Sequence, residues 1–177
     1  MIQSSTRMEL WLWSAMPSII TFILAVFTLS SKHIPGLAPI MPALPLIPIF
    51  YWGTMHAREM PYGFLFALGL AVDAASGLPL GLSSVLYMLF LALLRAQRRF
   101  FHKEGFIVKW GYFTLLMGIV FCVQWLLLSF FYSRALPAGA AFIQWGLTAC
   151  CYPLLHKLFD GISEHIHARR WQLLHGR

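Results

Sequence analysis

Positions 60 to 94 hold 35 residues and one charge, the carboxylate of Asp73. As a single helix this run would reach about 52 Å, whereas a hydrocarbon core is about 30 Å thick. It therefore has to fold back. "SGLP", residues 76–79, supplies the breaker chemistry at its midpoint. Two short spans joined by a tight hairpin, at about 60–75 and 80–95, are the expectation.

The rest of the chain supports a lipid solvent. It has 177 residues, is 59% hydrophobic and only 11% charged, where soluble domains carry roughly a quarter charged residues. Four further uncharged runs are each long enough for one crossing of about 20 residues. The spans are placed at about 11–31, 34–54, 60–75, 80–95, 110–132 and 136–156. The fold expected is an all-α integral membrane domain of six transmembrane helices, followed by a short basic tail over 157–177. Positive charge sets the orientation. With both termini cytoplasmic, inner segments hold Arg7, Arg58, Arg95, Arg98, Arg99, Lys103, Lys109, Lys157, Arg169, Arg170 and Arg177, and outer segments only Lys32 and Arg134. The net charge of +7 is thus explained by topology, and no nucleic-acid partner is expected.

The second span is unusual. "IPGLAPIMPALPLIP" has prolines at 35, 39, 42, 45 and 48, each of which removes a backbone donor. In lipid it survives only if neighbouring groups satisfy the freed carbonyls. An irregular outer half is expected, with regular helix resuming towards Phe50–Trp52. The tail has a weak apolar stripe, Phe159, Ile162, Ile166 and Leu173, and reads either as an interfacial helix or as the solvated end of span six.

Asp73 carries the main chemical question, because an acid inside a span is costly and functional by default. It lies near the C-terminus of its helix, where negative charge is unfavourable. Three compensations are open. The hairpin returns the N-terminus of the next span, around Leu80–Ser83, beside it, where free amides bind anions. Alternatively, Thr21, Gln124 and Gln144 form a polar layer at similar depth, with Arg134 or Lys32 just above. Protonation is the third. Gly69, Asp73 and Gly77 share one helix face at i, i+4, i+8, a spacing that lets helices approach closely in lipid.

No metal or cofactor is expected. Cys122, Cys150 and Cys151 sit in apolar runs and read as small hydrophobes, and "EHIH" points its two histidines to different sides of a helix. Ser76 and His156 fall at opposite membrane faces, too far apart for a protease pair. "DGISEHIHAR" lacks the aspartates of a CDP-alcohol phosphotransferase, and there is no phosphate-binding Gly-rich loop. A non-enzymatic protein is expected, with a substrate-binding membrane subunit as the alternative.

The pattern Gly69, Asp73, Ser76, Gly77, Leu80, Gly81 resembles the signature of the rod shape-determining protein MreD family. Pro42 nine residues before Tyr51-Trp52, and Pro153 in the last span, are similar to that family too; Leu65 stands where members often carry glycine. The resemblance covers nearly the whole chain. It implies a subunit of the bacterial cell-elongation machinery in the cytoplasmic membrane, helping to organise peptidoglycan synthesis and maintain cell shape. Its implied partner is MreC, and through it MreB, RodA and a transpeptidase. The implied fold resembles that of substrate-binding subunits of energy-coupling-factor transporters, which supplies the alternative function. A groove beside span two and the 69/73/77 face is the expected docking place for the MreC membrane helix.

Overall fold

The computed structural model describes residues 2–31, 41–55, 60–101, 104–133 and 137–175, with side chains over 15–30, 41–55, 60–97, 104–133, 137–161 and 163. Among them there are six helices and no strand: α1 (Ile2–Ser31), α2 (Leu46–Met55), α3 (Tyr62–Ser76), α4 (Leu82–Phe101), α5 (Phe106–Phe131) and α6 (Ala138–His175).

The helices differ greatly in reach. By length and composition α5 and the Ala138–Gly161 part of α6 are long and apolar enough to cross a membrane. The others have apolar stretches of 10 to 17 residues. At about 1.5 Å per residue α2 reaches only about 15 Å and α3 about 22 Å, short of a full crossing. Of the six expected spans, two of them expected to be short, two helices are long and apolar enough for a full crossing.

α2 is short because of its prolines. Residues 41–45 are not helical, and Pro48 sits in the first turn of α2, where a missing N–H has no intrahelical acceptor to lose. The helix resumes at Leu46, earlier than the expected Phe50–Trp52. Pro35 and Pro39 lie outside the described residues. Leu46 through Thr54 are all buried, so this apolar-all-round helix is the centre of the bundle. α4, α1 and α6 pack around it, α3 pairs with α4, and α5 lies between α4 and α6. We call the end bearing the α3–α4 turn the hairpin end and the opposite one the tail end.

The core is aromatic. Phe50 meets Phe113 edge-on at 5.1 Å and Tyr152 at 5.6 Å, while Phe113 and Tyr152 stack at 4.5 Å. Such pairs contribute about 0.5–1.5 kcal/mol each beyond their area.

α6 runs unbroken through Pro153 and past residue 156 to His175. Up to His175 the basic tail continues the last helix. Pro153 offers no N–H to the Ala149 carbonyl four residues back, and the Trp110 indole N–H from α5 donates to that carbonyl at 2.9 Å. Trp145 answers from α6, donating to Thr114 O at 2.8 Å. Two indoles thus tie α5 to α6.

Candidate functional site

The hairpin is built around Asp73. Gly77 ends α3 in the left-handed conformation (φ +65°), and the amides of Gly77 and Leu78 turn back onto the Asp73 carbonyl. The Asp73 carboxylate, fully buried, reaches across to the start of α4. Oδ2 accepts from the Gly81 amide at 2.9 Å, and Ser83 N donates to Oδ1 at 3.2 Å and Oδ2 at 3.0 Å. One residue closes the C-terminus of α3 with its main chain and the N-terminus of α4 with its side chain. The positive end of α4 offsets what the negative end of α3 costs.

Three glycines serve this turn in two ways. Gly77 and Gly81 (φ +97°) have open space around them but need positive φ. Gly69 needs space: a Cβ there would lie 2.4 Å from the Ser84 backbone. Ser84 Oγ also donates to the Phe66 carbonyl at 2.9 Å. Helices α3 and α4 therefore touch backbone to backbone at Gly69. Of the 69/73/77 face, Gly69 and Asp73 are covered by α4 of the same chain, and Gly77 lies exposed in the turn. Leu80 is 72% exposed at its tip, and Ser76 is half-buried.

The unwound stretch before α2 is satisfied from α6. Thr148 Oγ1 accepts from the Ala43 amide at 3.0 Å and donates to Gln144 O at 2.7 Å. Pro42 accepts from Leu44 N at 2.9 Å, tightening the turn. Thr148 was not singled out by sequence; its signal was a hydroxyl in the middle of an apolar run.

The expected polar layer is brought together in part. Gln124 and Gln144 line one internal cavity of about 50 Å³, with Thr28 and Ser83. Thr21 is not there. It is fully buried and donates to Pro17 O at 2.6 Å, seven residues or about 10 Å along α1 from Thr28. Thr28 takes its place, though its own hydroxyl donates to Leu24 O. Lys32 and Arg134 lie outside the described residues.

At the tail end a second polar group links distant elements. Tyr51 Oη donates to Asp160 Oδ1 at 2.7 Å, and His156 Nδ1 lies 3.0 Å from Asp160 Oδ2. The His156 ring is boxed by Phe106, Tyr51 and Tyr152 at 5.0–5.4 Å, and Trp52 packs on Phe159 at 4.8 Å. Nearby, Arg95 donates to the Met60 carbonyl at 2.7 Å and lies 4.3 Å over the Tyr62 ring. His156 and Asp160 were weighed by sequence only in enzyme roles. The available signal was the i, i+4 spacing in "HKLFD".

No group of three or more metal-ligating side chains occurs among the described residues. Cys122 and Cys150 are exposed on α5 and α6 rather than buried, and Cys151 is half-buried.

These features define an all-helical chain with two helices long and apolar enough to cross a membrane, organised by a capped hairpin and a broken central helix. No family model matches it. It is similar to "Uncharacterized protein RP566" of Rickettsia prowazekii, 25% identical over 148 residues, 84% of each chain. No solved structure matches.

Proposed function

We propose that the chain is a multi-pass membrane subunit of a bacterial cell-elongation complex, of the kind its resemblance to the rod shape-determining protein MreD implies. The carrying observation is that Gly69, Asp73, Gly77 and Gly81, the core of that signature, act together in the hairpin clasp. A signature spent on the clasp suits a protein whose fold is its function: an organiser of partners, not a catalyst. Six passes follow with both ends cytoplasmic, the second being α2 together with the chain preceding it. Large apolar side chains exposed along α1, α5 and α6, such as Phe22, Phe27, Leu115, Phe130, Phe142 and Leu154, suit lipid contact.

The partner surface moves accordingly. With Gly69 and Asp73 covered, the surfaces open to the membrane helix of MreC are the exposed apolar faces of α1, α5 and α6 and the outer sides of α3 and α4 at Phe66, Val85 and Leu89. Pull-down of the tagged chain from native membranes, with identification of what co-purifies, tests the reading; recovery of the chain without MreC, RodA or their associates rejects it.

The transporter-subunit reading has the internal cavity in its favour. That cavity, at about 50 Å³, is too small for a drug-sized solute, whose sites run to about 300–1,000 Å³, and the larger hollows between α5 and α6 are open clefts rather than enclosed sites.

A further inference from the structure

The internal cavity does not stand alone. Phe121, Gln124 and Gln144 line it from one side and also form walls of a hollow of about 230 Å³ in the cleft between α5 and α6 at the hairpin end. That hollow adjoins a second, of about 320 Å³, through shared walls at Phe121, Trp125 and Ala141. The second is lined only by apolar or aromatic side chains and glycine, Gly118, Cys122, Ala138 and Phe142 among them. The two glutamines therefore stand between a small polar chamber and an open apolar slot.

The two compartments differ in what they accept. One water occupies about 30 Å³ of liquid, so a chamber of about 50 Å³ admits a group of one or two heavy atoms. It offers hydroxyls from Thr28 and Ser83 and two carboxamides, which both donate and accept hydrogen bonds. None of the described residues lining the chamber or the slot carries a charge. A phosphate or ammonium head would enter without a counter-charge, at a cost of several kcal/mol. The slot is of the size and polarity of a ligand pocket, and its walls are matched to an alkyl chain.

We infer that the α5–α6 cleft binds a neutral single-chain lipid alcohol, its hydroxyl held between Gln124 and Gln144 and its hydrocarbon chain laid along Trp125, Ala141 and Phe142. This goes beyond the cell-shape reading and rests only on the chain lying in a membrane. A partner helix covering the same cleft would contact the slot and not need the chamber.

The test uses the intact chain in lipid nanodiscs, with co-elution of protein and lipid scored first, so that failure of the membrane reading shows there separately and takes the proposal with it. A long-chain alcohol brominated on its chain is titrated in and tryptophan fluorescence followed, since Trp125 and Trp145 line the slot. Saturable quenching is expected above the linear background of bilayer partition. Gln124→Leu with Gln144→Leu should weaken it about tenfold, the worth of one or two neutral hydrogen bonds. Ala138→Leu, which narrows the slot but lines neither hollow that the glutamines share, should abolish saturation; unchanged helical circular dichroism shows that each variant has folded. The matched brominated alkane and alkyl phosphate should not saturate. Equal quenching by all three probes, tighter binding of the phosphate, or indifference to the glutamine pair would each overturn the assignment.

Discussion

Asp73 shows how far one side chain can organise a turn. Both of its oxygens accept amide protons, so the substitutions grade. Asp73→Asn can keep its carbonyl at the Oδ2 position for both amides but loses the charge and turns its NH2 towards the Ser83 amide, whereas Asp73→Leu leaves the Gly81 and Ser83 amides without a partner. At about 1.5–3 kcal/mol for each charged hydrogen bond, the leucine variant should lose about 3 kcal/mol or more. That corresponds to a fall of roughly 6–12 °C in the detergent-solubilised midpoint, with asparagine in between; equal midpoints for the two variants reject the capping role. The glycines separate likewise. Gly69→Ala collides with the Ser84 backbone, while Gly77→Ala meets only the strain of positive φ, about 1–2 kcal/mol. The first should therefore destabilise more, although the two residues share one helix face. Asp73's partners were readable because capping is local: Gly81 and Ser83 are 8 and 10 residues away. The close approach at Gly69 was readable as a spacing but not as a partner, since nothing in the residue type says which helix will come near.

At the scale of elements, what could be read was again local. Breakers at 76–79 and the proline cluster placed the hairpin and the irregular segment before α2. The contacts that hold those elements in the bundle were not legible, because they join residues 105 and 109 apart, Ala43 with Thr148 and Tyr51 with Asp160. Hydropathy also ends a span where charge begins, yet a helix does not end there. Residues 157–175 carry no proline and only one glycine, Gly161, so α6 continues. Two measurements address these contacts. Thr148→Val removes the acceptor for the Ala43 amide at nearly constant volume, and amide exchange over residues 41–45 should quicken while that over α3 does not change. Trp110→Phe leaves the Ala149 carbonyl unpaired and should cost about 1 kcal/mol. In a Pro153→Ala background the restored N–H can reach that carbonyl, so the same substitution should cost measurably less. Additive costs in the double-mutant cycle reject the pairing of indole with proline.

At the scale of the molecule, composition and positive charge led to a six-pass topology, and the isolated chain leaves a belt of large apolar side chains uncovered. The topology has its own check. In a background lacking Cys122, Cys150 and Cys151, an impermeant thiol reagent should label Leu80→Cys in intact cells and Ser163→Cys only after permeabilisation. Labelling of both from one side rejects an odd number of passes between them. The short span at about 60–75 was read from its breakers, whereas the full shortness of α2 was not, because hydropathy reports where lipid-compatible residues lie, not whether they coil into one long helix or a broken one.

The unbroken α6 has a mechanical consequence. Beyond its apolar part, which ends at Gly161, residues 162–175 extend the same helix for about 21 Å. Membrane helices tilt to match bilayer thickness, by about 20° on average. A further 10° of tilt would swing the far end of that arm by about 4 Å. In a chain that spans a bilayer as proposed, a change in bilayer thickness would thereby become displacement at a distance, felt by whatever grips the arm.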